Sequence, residues 1–504
     1  MRKRTTLGFL AAAPLLALAA CGDDEGTGGA GGSTSSATTT GSNATGTTTT
    51  TTTTGSTSSS SSTGGGGGGG EPFVTPTPIA VPLSPAGPDQ LQSVTAASND
   101  GDFLAAGFAA AAVGGPRLVT VVKYSSAGPD ASFGTGGVAT TDVTFMGGAD
   151  EIDVATQSDG KIVVSATVAN AVNANDRDIA LIRLNADGSL DTTFGTNGVT
   201  VVNLNDAYDN GMMLVGLDAA RSLTVDGDDN IFVHAASRAL GNAQGGGPRT
   251  DTDFTVVKLT QDGDVDTTFG DAGQFRLDIA QVNGTPRAIA AIADGSLIAS
   301  GYANTPDVGD TVQAVLYKVT PNGELDDAFA TSGLFHEPVL TIQTEIYGFA
   351  LHGPSLVTGG YGRNTGDTND YVSMRFDVDT GARDTTWGDT NGAVVVDPSG
   401  TMLGSNARNT VGLPDGGTII LGSTGPANMP EQDAVFVVLD DAGELDTAYG
   451  TGIHVLPLGN DGNDQLWGGA VSGSFVSLVG YQGGGQTQTD TTNDDSYVVV
   501  FEAQ

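Results

Sequence analysis

An all-β fold, a seven-bladed β-propeller with four antiparallel strands per blade, is predicted for the folded part of this 504-residue sequence on three observations. A phrase made of an aspartate followed closely by an aromatic residue returns about every sixty residues. Between its copies, short runs of Val, Ile, Leu and Ala alternate with Asp-Gly turns, and no long 3.6-residue periodicity of a helix occurs. Four short strands in a period of that length are the spacing of a propeller blade.

The chain opens with Arg2, Lys3 and Arg4 and an apolar run from Leu7 to Ala20, the layout of a secretory signal and too short to span a bilayer stably. Leu18-Ala19-Ala20-Cys21 resembles the lipobox of bacterial lipoproteins, which implies that Cys21 becomes the lipid-modified first residue of the mature chain. Cys21 is the sole cysteine, so its acylation would leave no thiol for a disulfide, a metal or a nucleophile. Residue 22 is glycine rather than the aspartate that retains some Gram-negative lipoproteins at the inner membrane. The resemblance therefore implies export to the outer membrane or cell surface. Residues 1–20 read as the signal, 21–71 as a lipidated tether and 72–504 as the propeller.

Losing Arg2, Lys3 and Arg4 takes the net charge from −39 to −42. Such a surface lacks the basic patch that nucleic acid or anionic lipid requires, so neither is an expected partner, and the lipid would be the only membrane contact. From Gly22 to about Gly70 the chain is nearly all Gly, Ser and Thr, which cannot bury enough apolar surface to fold. As a coil this tether has a reach of about 40 Å.

The repeated phrase appears as Gly128 to Gly134, Asp187 to Gly195 and Asp262 to Gly270, then in worn form around Asp326, Asp384 and Asp446. Its aspartates, Asp130, Asp191, Asp266, Asp326, Asp384 and Asp446, are 61, 75, 60, 58 and 62 residues apart. Asp-Gly-x-Leu-Asp-x-x-Phe-Gly at this period resembles the bacterial delta-60 repeat, and the phase of its strands is similar to NHL repeats; both imply a propeller over residues 79–504 and no particular activity. First strands are expected at Leu91–Ala97, Ile152–Thr156, Ser222–Val225, Arg287–Ile292, Ile346–Leu351, Ala407–Leu413 and Leu466–Val471. Pro82, Pro338 and Pro457 mark the fourth set as edge strands, because proline removes a ladder donor. That set is one short at the C-terminus, so Ile79–Leu83 is expected to close the last blade against Tyr497–Phe501.

Candidate chemistry is sparse. Lys123, Arg183, Lys258, Lys318 and Arg375 each precede a repeat aspartate by about eight residues, and a pair recurring in five blades suits a scaffold better than a reaction. The same holds for Phe133, Phe194, Phe269, Phe329, Trp387 and Tyr449, expected as wedges between blades, whereas Trp467 falls outside that series. His234, His336, His352 and His454 show no metal-ligand spacing and no catalytic pairing. No cofactor is expected, with weak calcium binding at Asp461 and Asp464 left open.

Loops that differ between blades on a repetitive scaffold are where binding usually resides. The candidates are Ala236–Asp251, with Gln244, Arg249 and Asp251, and Tyr481–Asp495, with Tyr481, Gln482, Asp490, Asp494 and Asp495. A monomeric, surface-displayed recognition module for a protein or glycan is the leading expectation. A propeller-based exported enzyme (hydrolase, lyase or quinoprotein) and a structural envelope component stay open beside it.

Overall fold

The computed structural model describes residues 73–504 apart from 85, 148–150, 173–175, 205–207, 210–213, 216–217, 244–245, 247–248, 306–310, 389–391, 401–402, 426–431, 457, 459–462 and 484–493. Phe73–Gln504 forms one compact unit, an all-β propeller. Its discrete sheets run outward from the axis in sequence order, except that the last ends on the N-terminal strand Ile79–Ala80. Asp89–Ala96, Phe103–Ala110, Arg117–Ser125 and Val138–Phe145 make one blade, with Gly128–Pro129 as a fifth short strand. Asp153–Thr156, Ile162–Ala169, Arg177–Leu184 and Val199–Val202 make the next, followed by Ala219–Val225, Ile231–Arg238, Thr252–Leu259 and Gln274–Leu277. Two more are Ser405–Gly412 with Thr418–Thr424, Asp433–Leu439 and Ile453–Val455, and Gln465–Ser472 with Phe475–Gln482, Asp495–Glu502 and Ile79–Ala80.

The expectation of seven separate four-stranded blades is corrected by this topology. Five sheets stand as discrete blades, four with four strands and one with five, while strands between Gly284 and Val396 join into a single nine-stranded sheet. The join follows from Pro338. Leu334–His336 pairs with Val315–Tyr317 but stops before the proline, which has no N–H to donate. The chain then returns extended at Gln343–Thr344, which pairs antiparallel with Gly362 and Arg363 on one side and parallel with Val312 on the other. This short strand bridges Val312–Val319 to Ser355–Arg363 and merges what the sequence reading took for two sheets.

The N-terminal segment does meet the last strand of the chain. Ile79 pairs with Val498 and Ala80 with Tyr497, and the Val81 N–H donates to the Ser496 carbonyl at 2.9 Å. The pairing is shorter than the expected Ile79–Leu83, since Pro82 has no donor to continue it. Phe73 adds a clamp, edge-on to Tyr449 and His454 at 5.0 Å each and to Phe501 at 5.7 Å. The chain thus enters the ring beside Tyr449, a member of the repeated phrase, on the rim of tight turns.

That phrase stitches one sheet to the next. Lys123, Arg183, Lys258, Lys318 and Arg375 lie 3.0, 2.8, 2.9, 3.9 and 2.5 Å from Asp130, Asp191, Asp266, Asp326 and Asp384. The aromatic residues Phe133, Phe194, Phe269, Phe329, Trp387 and Tyr449 are all at most 1% exposed, and each such burial stabilises the ring by about 2–3 kcal/mol. Each of the first five fits under the turn glycine of the following repeat. At Gly263, whose φ is +89°, a Cβ would lie 2.6 Å from the Phe194 ring, so both the backbone and the wedge demand glycine there. Backbone bonds finish the seam, as from Gly134 to Asp187 at 2.8 Å and from Gly270 to Asn322 at 2.8 Å.

Candidate binding site on the ring axis

Strands nearest the axis share an irregularity. Pairing with the second strand skips a residue between Leu91 and Ser93, Ala220 and Ser222, Ala407 and Asn409, and Leu466 and Gly468, and skips two between Pro286 and Ile289. Tyr347 and Gly348 likewise both oppose Gly359, the Tyr347 N–H donating to its carbonyl at 2.9 Å. The bulged side chains are therefore Gln92, Arg221, Arg287, Tyr347, Arg408 and Trp467. A bulge re-aims a side chain that strict alternation would send into the sheet packing.

Glycines on the second strands make room for this. A Cβ on Gly107, Gly301, Gly360, Gly422 or Gly480 would lie 1.8–2.1 Å from the carbonyl oxygen of Gln90, Thr285, Glu345, Asn406 or Gln465, in that order. Each of those carbonyls belongs to the residue two positions before a bulged one. Close backbone approach is the physical reason for glycine in a strand interior here.

The bulged residues converge. Gln92, Ser93, Glu151, Asp153, Arg221, Ser222, Arg287, Tyr347, Arg408 and Trp467 all line one cavity of about 80 Å³ on the axis. It sits where first strands begin and second strands end, the end of the ring opposite the tight turns. Arg221, Arg287 and Arg408 are 8%, 2% and 8% exposed. Arg287 donates to the Tyr347 hydroxyl at 2.8 Å and the Tyr302 hydroxyl at 3.2 Å, pairs with Glu151, and lies 4.0 Å from the centre of the Tyr347 ring. Arg408 faces Trp467 at 4.8 Å and Tyr347 at 5.5 Å, while Arg221 reaches Glu151 at 3.8 Å. Behind them Tyr361 packs on Tyr347 at 5.3 Å, and the buried Glu345 accepts from Gln343 at 2.5 Å.

Asp153 supplies the second lining carboxylate. It bonds the Ser93 hydroxyl, accepts from the Ser222 hydroxyl at 3.0 Å, and accepts from the Leu223 and Val154 N–H groups at 2.7 and 2.8 Å. Burial pushes its carboxyl above the usual range against those bonds. Burial likewise raises the Tyr347 and Tyr361 phenols well above 10, so both hydroxyls are neutral donors or acceptors at neutral pH. Three guanidiniums, the carboxylates of Glu151 and Asp153 and the faces of Tyr347 and Trp467 thus meet in one place, with the Glu345 carboxylate close behind.

The loop residues singled out from sequence are spread elsewhere. Arg249, 5% exposed, is a hub: Nε donates to Asp251 at 3.0 Å, Nη1 to Asp278 at 2.7 Å, and Nη2 to Asp253 at 3.4 Å. Carboxylates of Asp251, Asp253 and Asp278 could reach one cation among the described residues, but the Arg249 guanidinium already occupies their centre. Tyr481 is buried and paired with Ser496 in the last blade; Gln482 pairs with Asp495, and Asp494 accepts from Gln90 at 2.5 Å. Asp464 is 2% exposed and accepts from the Gly483 N–H at 3.1 Å. Cys21, Gln244, Asp461 and Asp490 lie outside the described residues. None of the described loop residues lines the axial cavity, although Asp494 reaches its lining residue Gln92 through Gln90, and only Trp467 of the axial residues stood out in sequence. The missed signal was one glycine at the same phase of the second strand in repeat after repeat.

Residues 157–194 match the family described as "Domain of unknown function (DUF5122) beta-propeller". The chain carries a repeat of a propeller family. Among curated proteins, no sequence matches. Similar solved structures include a polysaccharide lyase, at 11% identity and TM-score 0.44, covering 83% of this chain and 90% of the other. The β-propeller domain of the Trilobed protease from Pyrococcus furiosus is similar at 11% identity and TM-score 0.40, over 82% and 95% of the two chains. A glucose dehydrogenase is similar at 13% identity and TM-score 0.36, over 67% and 94%. Nothing of their chemistry carries over at such identities.

Proposed function

We propose that the chain is an exported, lipid-anchored recognition module that binds a surface protein or glycan without turning it over, through the axial cavity and the variable loops around its mouth. The observation that carries this reading is the set of bulges: the scaffold repeats in its seams, yet turns six side chains of four kinds into one cavity. Binding sites grafted onto a repeated fold differ from blade to blade in this way. The anchoring half rests on Cys21 behind its apolar leader and on the Gly, Ser and Thr tether.

The test is a glycan array and a surface-protein pull-down with the full chain, run beside an Arg408→Ala, Trp467→Ala double variant. A defined ligand held by the native chain and released by the variant, at matched melting temperature, is expected. Equal retention by both, or chemical conversion of the ligand, would contradict the reading. Anchoring is checked separately by palmitate labelling, which Cys21→Ser should abolish.

A further inference from the structure

We infer that the axial cavity receives an uncharged sugar unit of a glycan, with Trp467 as its central contact; this rests on the recognition reading above and narrows its ligand. Arg221, Arg287 and Arg408 meet the lining carboxylates of Glu151 and Asp153 and, behind them, the 2% exposed Glu345, three guanidiniums against three carboxylates. Glu151 is engaged by Arg287 and Arg221, and Asp153 by two hydroxyls and two N–H groups. The site therefore balances its own charge, and a charged ligand would give up hydration with no counter-charge set aside for it. A neutral ligand rich in hydroxyls carries no such cost.

Trp467 shows what that ligand supplies. The residue is half-buried and lines the cavity, yet its indole N–H is buried without a hydrogen-bond partner. A buried indole N–H ordinarily has an acceptor, and here one can enter from the open side of the cavity. A sugar hydroxyl accepts that bond while donating to a carboxylate, and its neighbours on the ring repeat the pattern. The lining is mixed in the same way, since guanidiniums and the Asn409 amide donate while Glu151 and Asp153 accept. Arg408 lies 4.8 Å over the indole, and the part of the ring left accessible offers an apolar surface to the C–H face of the same sugar. The rest of the glycan continues outside the mouth.

Trp467 also reports the test, because the chain has two tryptophans and the second, Trp387, is 1% exposed in a seam of the scaffold. The full chain is titrated with methyl glucoside, methyl galactoside and methyl mannoside, and with the three matching uronides at constant ionic strength. A saturable change in Trp467 emission is expected with at least one neutral glycoside, and its uronide is expected to bind about tenfold more weakly, the cost of an uncompensated charge. In Trp467→Phe the emission change disappears, and calorimetry is expected to show that glycoside bound about three- to tenfold more weakly, the loss of one hydrogen bond. If that variant does not fold, the comparison of glycoside with uronide on the native chain decides. No saturable response to any neutral glycoside, a uronide that binds as tightly or more tightly, or unaltered affinity in Trp467→Phe overturns the inference. A protein or acidic glycan captured by the native chain while all three neutral glycosides fail would sink the inference and leave the recognition reading standing. Neutral glycoside binding by a chain that captures no surface ligand, or that converts a longer glycan, would do the reverse.

Discussion

Gly360 and Glu345 approach so closely that a Cβ on the glycine would lie 1.8 Å from the glutamate carbonyl oxygen, so only glycine fits opposite the chain just before the bulge at Tyr347. Gly360→Ala is therefore expected to destabilise the ring by about 3 kcal/mol, because the clash is with backbone that cannot rotate away. Gly227→Ala, with open space around it, should stay within about 0.5 kcal/mol. Urea titration of both variants checks the difference. Equal midpoints would remove the bulge argument.

The ion pairs of the repeats should differ in worth by burial. Arg183 and Asp191 are 3% and 6% exposed, so Asp191→Ala leaves a buried guanidinium without its carboxylate and is expected to cost about 3–5 kcal/mol. Lys123 and Asp130 are 19% and 33% exposed, and Asp130→Ala should cost far less than Asp191→Ala beyond the loss of its turn bonds, because solvent screens the pair. The check is chemical denaturation of the two variants side by side; a similar loss in both would show that burial does not set the scale.

Acid should attack the same seams. Hydroxyl bonds from Ser132, Thr268 and Thr386, and then the paired bases, hold Asp130, Asp266 and Asp384 at about 2. At Asp191 burial opposes the shift, but Thr193 and Arg183 together outweigh it and the value is again about 2. A depressed folded pKa gives stability that is present above the ordinary value of 3.8 and lost as pH falls toward 2. Melting temperature followed from pH 5 to pH 2 is expected to fall most steeply between about pH 4 and pH 2. A flat profile there would contradict the assignment.

Asp464 should behave in the opposite sense. Burial, only partly offset by the Gly483 N–H, raises its carboxyl to about 7. Its contribution is fully present below 3.8 and is lost as pH rises through about 7, so at neutral pH the ionised group works against the fold. Asp464→Asn is expected to melt higher than the native chain at pH 8, with the gain shrinking steadily toward pH 4. A gain of the same size at both ends would show that the charge is not its cause.

Much of this could be read from the residues alone. Turns, strands and the basic partners of five of the six repeat aspartates follow from alternation and spacing, and the pairing of Ile79 with Val498 follows from a missing outer strand. Two features do not. Whether Leu334–His336 and Gly348–His352 belong to separate sheets turns on the two-residue strand Gln343–Thr344, whose pairing no pattern announces. The axial residues hide for a different reason: a bulge shifts parity by one, so Arg221, Arg287 and Arg408 look like ordinary alternating positions. Gly107, Gly301, Gly360, Gly422 and Gly480 carried the only local mark of those bulges, and it becomes legible once the strands are aligned on the repeat.

The most direct measurement is a crystal structure of the full chain with the ligand that the glycan array or pull-down identifies. Ligand in contact with Arg408 and Trp467 at the mouth of the axial cavity is the expected result. Ligand held only on the rim of Asp-Gly turns would contradict the account.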